Sequence, residues 1–92
     1  MNSRMLYSRP NVSVSQRLAR LNYTAPCPMR APGEAPGVFA LECALDELAE
    51  KVGMDPVEFR LRNYAESDEH EPRPWSSKHL RECYERGAKQ FG

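Results

Sequence analysis

Most of the signatures that betray an enzyme are missing from these 92 residues. No Ser, His and Asp occur in triad order, and there is no H-E-x-x-H, no G-x-x-x-x-G-K-S/T phosphate loop and no G-x-G-x-x-G fingerprint. Cysteine is scarce. Cys27, Cys43 and Cys83 are three in number and widely spaced, with no C-x-x-C pair, and His70 and His79 complete no zinc pattern. A disulfide scaffold and a structural metal site are therefore excluded, and free thiols in a reducing cytoplasm are the expectation. Long apolar runs are absent as well: Met1–Arg9 is polar and lacks a signal-peptide core, which predicts a cytoplasmic chain with no membrane contact. Thirteen basic residues balance thirteen acidic ones. With no basic excess, no helix-turn-helix and no aromatic-basic RNA motif, nucleic acid is excluded as a partner.

One further absence is local. Residues 1–33 contain no carboxylate but five arginines, Arg4, Arg9, Arg17, Arg20 and Arg30, and so carry +5. Residues 34–92 hold eight basic and thirteen acidic residues, which gives −5. Either the two parts pair with each other, or the basic part faces an anion such as a phosphate-bearing cofactor.

Composition is otherwise that of an ordered soluble chain, 40% hydrophobic and 28% charged, which argues against disorder. The expected fold class is α+β, with residues 1–23 extended, a loop over 24–37 and three helices over 37–92. In Val12-Ser13-Val14-Ser15 apolar and polar residues alternate as in a half-buried strand, and Met5-Leu6-Tyr7 predicts a second short strand ended by Pro10-Asn11. Strands this short need partners that the chain barely supplies.

The loop 24–37 has four prolines and two glycines in fourteen residues, which excludes regular structure. Helical spacing of Val38, Leu41, Leu45, Leu48, Ala49 and Val52 predicts a first helix over 37–52. Phe39, Ala40, Cys43 and Ala44 make its first half apolar almost all round, as in a helix buried inside a larger body, and Glu42 there needs a partner. Gly53 is the expected C-cap. Asp55, Pro56 and Glu58 form the start of a second helix over 55–64, whose inward face is Val57, Leu61 and Tyr64, with Arg60, Arg62 and Asn63 projecting elsewhere. Residues 65–76 read as a solvated acidic loop. A third helix over 77–91, capped by Ser76 or Ser77, buries Leu80, Cys83, Tyr84, Ala88 and Phe91. Cys43 and Cys83 are expected as buried thiols.

The residues best suited to chemistry are in the Met29–Gly37 loop. Arg30 and a run of small residues directly precede a helix N-terminus, where backbone N–H groups and the helix dipole favour an anion. The small residues allow close approach of the backbone, and Arg30 adds a rigid, permanently charged donor fork. The competing reading is a structural loop whose arginine pairs with Glu34 or another carboxylate. Glu42 and Asp46, four apart on one helix side, form a like-charged pair better explained as a solvated face than as catalytic groups.

Cys27-Pro28-Met29-Arg30-Ala31-Pro32-Gly33-Glu34-Ala35-Pro36-Gly37 resembles the cofactor loop of the molybdopterin-binding subunits of the xanthine dehydrogenase/aldehyde oxidase family. The following FALECALDELAEKVGMDPVEFRLRNY, the preceding Tyr7–Asn22 stretch and the later Pro74-Trp75-Ser76-Ser77 with Leu80 and Cys83 are similar to the same family segment. The resemblance implies hydroxylation of aldehydes or aromatic heterocycles with water-derived oxygen. It implies a molybdenum-pterin cofactor, and electron exit through iron–sulfur and FAD-bearing subunits. It places Met29, Arg30, Ala31 and Gly33 at the cofactor. Met29 and Ala31 depart from the phenylalanine-arginine-glycine of xanthine dehydrogenases, and Pro32 stands where those enzymes carry an aromatic residue, so aldehyde oxidoreductases of bacterial type are the better likeness. The family's glutamate base lies far downstream and matches no residue here, so no catalytic residue and no metal ligand is assigned. The expectation is a segment of a larger molybdenum-binding domain that needs the remainder of its subunit, holds no cofactor by itself and is inactive alone. The alternative is a small stand-alone α+β interaction module that forms a homo-oligomer through exposed apolar helix surface.

Overall fold

A computed structural model describes residues 5–68, 71 and 73–92. Helix α1 spans Glu34–Val52, α2 Pro56–Arg62 and α3 Leu80–Phe91; a two-stranded antiparallel hairpin, β1 (Ser67–Asp68) and β2 (Arg73–Pro74), lies between α2 and α3.

Helix α1 begins three residues earlier than the apolar spacing suggests. Gly33 caps it in the left-handed region at φ 71°, a conformation that costs glycine little. Pro36 then falls in the first turn, where no backbone N–H is needed. The expected loop is thus shortened to 24–33. At the other end Gly53, φ 68°, directs its N–H to the Glu50 carbonyl at 3.0 Å, while Met54 N–H reaches Ala49 at 3.0 Å. This pair of bonds closes the helix in a Schellman turn.

Two residues further on, Asp55 Oδ1 accepts from the N–H groups of Val57 and Glu58, both at 2.9 Å, and Pro56 opens α2. Helix α2 stops at Arg62, and the Asn63 side chain donates to the Phe59 carbonyl at 2.7 Å. Helix α3 starts at Leu80 rather than at 77, and neither Ser76 nor Ser77 caps it; His79 holds that place without a side-chain bond. The preceding segment is held differently. Lys78 Nζ donates to the carbonyls of Met5 at 2.7 Å and Ala65 at 2.6 Å, and lies 4.1 Å from the Tyr64 ring centre. Trp75 Nε1 adds a bond to Ala65 at 3.3 Å. The stretch expected as a plain acidic loop therefore contains the β1–β2 hairpin, registered Ser67↔Pro74 and Asp68↔Arg73.

Of the two expected N-terminal strands, Met5-Leu6-Tyr7 contributes a single antiparallel bridge, Tyr7↔Tyr64, supported by Ser8 N–H to Asn63 O at 2.7 Å and Ala65 N–H to Leu6 O at 3.2 Å. Val12–Ser15 forms no strand, and residues 10–37 are exposed throughout. Among the described residues, none from 10 to 30 takes part in a backbone–backbone hydrogen bond.

The core is small: among the described residues Tyr7, Ala49, Tyr64, Ala65 and the charged Arg60 are the buried ones. Val38, Leu41 and Leu45 are half-buried, but Phe39, Leu48 and Val52 are exposed. In α3 only Leu80, Arg81 and Tyr84 are even half-buried. Cys43 and Cys83 are exposed, against expectation, because no described residue covers those helix faces.

Candidate functional site

The four residues singled out at the cofactor loop come together. Met29, Arg30, Ala31 and Gly33 all line one open concavity of about 690 Å³ formed by residues 26–33 with Ala35 and Pro36. Its shape follows from local backbone chemistry. Ala31 takes a left-handed φ of 57°, unusual for a residue with a Cβ and costing about 1 kcal/mol, and Gly33 follows in the same region. The carbonyl of Ala31 thereby turns toward the helix and accepts from Glu34 N–H at 3.0 Å and Ala35 N–H at 3.3 Å.

That arrangement changes the anion argument. The first helical N–H groups are already directed at Ala31, Pro36 has none, and Gly37 N–H bonds Gly33 O at 3.1 Å. The remaining strong donor is the Arg30 side chain. It is exposed, and among the described residues it forms no ion pair, with Glu34 or with any other carboxylate. An exposed guanidinium without a partner in a concave, small-residue loop is suited to bidentate binding of an anionic oxygen. Met29 stands beside it, 83% exposed.

A second cluster joins the three helices. Arg60 reaches from α2 to α1: Nε donates to Glu42 Oε2 at 2.7 Å, Nη2 to Asp46 Oδ1 at 2.7 Å and to the Glu42 carbonyl at 3.1 Å, and Nη1 to the Pro56 carbonyl at 2.9 Å. Tyr7 donates to Glu42 Oε1 at 2.8 Å. Its single proton is thus committed, so the 3.0 Å contact with Tyr84 is a bond donated by Tyr84. Burial, and the proton that Tyr7 shares with the Glu42 carboxylate, push the Tyr7 phenol well above its ordinary range. Burial works against the Arg60 charge, but Glu42 and Asp46 more than offset it and hold the guanidinium protonated. Every strong group here is satisfied by another. The Glu42–Asp46 pair meets on Arg60 and forms a structural clasp with no nucleophile and no open ligand position.

Arg60 is the residue that sequence reasoning misplaced: it points inward, not away. The signal was present, since Val57, Arg60, Leu61 and Tyr64 share one helical face at spacings of three and four. Lys78 was not singled out either. Burial lowers its pKa, with Glu66 acting in the opposite sense. Arg81 stacks on Tyr64 with Cζ 4.8 Å from the ring centre and pairs with Glu66. Among the described residues no cluster of three or more His, Cys, Asp or Glu could hold a metal ion. No helix of the described residues is long and apolar enough to cross a membrane.

Residues 1–64 match the molybdopterin cofactor-binding domain family, and the chain belongs to that family. The match takes in the loop, α1 and α2 and ends at Tyr64. Among individual relatives, the aldehyde oxidoreductase molybdenum-binding subunit PaoC of Escherichia coli K12 is 50% identical over 91 residues, covering 98% of this chain and 12% of that protein. The putative xanthine dehydrogenase molybdenum-binding subunit XdhA of the same strain is 38% identical over 89 residues, covering 94% of this chain and 12% of that protein. The aldehyde oxidoreductase of Megalodesulfovibrio gigas is 40% identical over 57 residues, 62% of this chain and 6% of that protein. The chain spans about 12% of the length of the first two.

Proposed function

We propose that this chain is a segment of an α+β molybdenum-binding domain of an aldehyde oxidoreductase-type hydroxylase, and that its Met29–Gly33 loop forms one wall of the cofactor site. The observation that carries the reading is Arg30, exposed in the 690 Å³ concavity with no carboxylate partner among the described residues. The residues present fit an anionic pterin-type group on that one side: Arg30 would donate to an anionic oxygen, while Met29, Ala31 and Gly33 would give close, uncharged contact. When bound, the molybdenum-pterin group supplies oxidation of an aldehyde or heterocycle with water-derived oxygen. An aldehyde is favoured over a purine by the Met29-Arg30-Ala31-Pro32 wording and by 50% identity to an aldehyde oxidoreductase subunit against 38% to a xanthine dehydrogenase subunit.

Alone, the chain offers one open wall of a site and no residue that matches the family's glutamate base, so it is expected to hold no cofactor and to turn nothing over. The remainder of a molybdenum-binding subunit and iron–sulfur and FAD-bearing subunits are the partners this reading requires. The test is a chimera in which these residues replace the matching 91 of PaoC. It is expected to retain molybdenum and aldehyde oxidation, and Arg30→Met in it should lower molybdenum content or turnover about ten- to a hundredfold, the loss of one charge-assisted bond. A chimera that loads and turns over equally well with and without Arg30 would overturn the assignment.

A further inference from the structure

We infer that Ala31 serves the site through its backbone: its left-handed conformation is a positioning device that sets the Arg30 guanidinium beside the concavity while α1 stays capped. The inference rests on the cofactor reading of the loop and goes beyond the close contact already assigned to Ala31.

Among the described residues Ala31 is the one non-glycine with a positive φ, 57°. Two local preferences oppose it. A Cβ disfavours the left-handed region, and the residue before a proline, here Pro32, is pushed toward extended backbone. A conformation disfavoured twice persists only where the surroundings impose it, and such residues gather at ligand clamps.

The turn into α1 does not impose it. Ala31 O accepts from Glu34 N–H at 3.0 Å, which closes a turn over residues 31–34. Pro32 at its second position excludes the turn types that need a positive φ there, and Gly33 at the third has φ 71° and ψ −12°, so the turn is of type II. Pro32 and Gly33 meet all the dihedral demands of that turn, and φ of its first residue is free. Rotation about the Ala31 N–Cα bond leaves the Ala31 carbonyl, the turn and α1 in place. It swings Arg30 and the chain before it. What φ of Ala31 fixes is therefore the place of Arg30 relative to α1. The bonds that define the turn lie within residues 31–37, Gly37 N–H to Gly33 O at 3.1 Å included, and owe nothing to what covers the loop.

At φ 57° Arg30 joins Met29, Ala31 and Gly33 around one concavity. The N–H groups of Glu34 and Ala35 are taken by Ala31 O, so the strong donor for an anion comes from the other side of the rotatable bond. It is a guanidinium fork, whose bidentate bonding depends on direction. A residue at position 31 that returned to the extended region would carry this fork away without uncapping the helix.

The test varies residue 31 in the PaoC chimera and reads molybdenum per polypeptide. Asparagine and valine are alike in size but not in backbone: asparagine visits the left-handed region several-fold more often than most residues, and for a β-branched residue it is a genuine outlier. Molybdenum content is expected to fall in the order Ala31→Gly, Ala31→Asn, Ala31→Val, with the asparagine variant holding about fivefold more than the valine variant. Ala31→Val added to Arg30→Met should lower the content no further than Arg30→Met alone, since one acts through the other. Circular dichroism of the 92-residue chain should show unchanged helix in all three variants, because the turn and α1 lie on the fixed side of the rotated bond. Loss of helix in the valine variant, equal molybdenum in the asparagine and valine variants, or losses that add in the double variant would each overturn the inference and leave the cofactor reading standing. Arg30→Met without effect by itself would remove that reading, and the inference with it.

Discussion

Arg60 lies across Glu42, Nε 2.7 Å from Oε2, and its Nη2 also reaches the backbone carbonyl of the same residue at 3.1 Å. The contact bridges two helices eighteen residues apart in sequence. It brings a charge into a core whose other buried residues are two tyrosines and two alanines. A guanidinium so enclosed is costly unless each donor is met. Three bonds to α1 and one to its own helix turn that cost into a geometric constraint. Arg60→Met should therefore destabilise the chain by about 2–4 kcal/mol, since it strands Glu42 beside Tyr7. Combined with Glu42→Gln, the two losses should fall short of additive by more than about 1 kcal/mol. Urea titration of the four proteins of this cycle gives the answer, and strictly additive losses would mean the contact contributes nothing.

The same cluster sets a pH limit. The folded Tyr7 phenol is raised well above its ordinary value of 10.0, by burial first and then by its bond to the Glu42 carboxylate. A raised folded pKa means that the contribution is fully present below about pH 10 and is lost as pH climbs above it, where the unfolded phenol ionises and the folded one does not. Lys78, lowered by burial, acts in the opposite sense in the same range. The informative quantity is thus the difference between the wild type and Tyr7→Phe. The wild type should lose its advantage progressively above pH 10, and the two curves should run parallel below it. Parallel curves at all pH values would mean that Tyr7 ionises as freely in the fold as outside it.

How far the sequence reached depended on whether a feature was local. Gly53 and the Asp55-Pro56 pair were legible because caps are set by neighbours within four residues. The body of α1 was legible from its leucines. Its first turn was not, because Pro36 reads as a breaker, although a proline within the first turn is tolerated. Arg60 was misplaced because a charged helical residue defaults to solvent, and its partners lie on another helix. The Tyr7–Tyr84 bond joins residues 77 apart, beyond the reach of any spacing rule. Alternation in Val12–Ser15 called for a strand, yet a strand needs a neighbour, and no described residue supplies one. For the site, the wording around Arg30 pointed to the loop, but the capture of the helix N–H groups by Ala31 required coordinates.

Two caps offer a cleaner stability test. Asp55 Oδ1 accepts from two N–H groups, so Asp55→Ala should cost about 1 kcal/mol and lower the melting temperature by about 4–8 °C. Gly53→Ala should cost a similar amount for another reason. A Cβ at Gly53 meets nothing within 4 Å, so the penalty is purely that of φ 68°. Gly53→Asn should recover part of that loss, because asparagine tolerates the left-handed region better than alanine. If asparagine and alanine are equally destabilising in a thermal melt, the turn does not hold its left-handed geometry in solution.

Arg30 separates holding the fold from serving the site. Its side chain is exposed and, among the described residues, makes no ion pair. Arg30→Ala should therefore change the stability of the 92-residue chain by no more than about 0.5 kcal/mol, as for an ordinary surface substitution. In a full-length molybdenum-binding subunit the same position is expected to matter far more, because an anionic group would rest against it. The comparison that decides this is urea unfolding of the short chain beside molybdenum content of the PaoC chimera, both with and without Arg30. A neutral effect on unfolding with a marked loss of molybdenum would make Arg30 a binding residue. A loss of fold stability in the short chain would make it a structural one, and the concavity at residues 26–36 would then lose its best candidate donor.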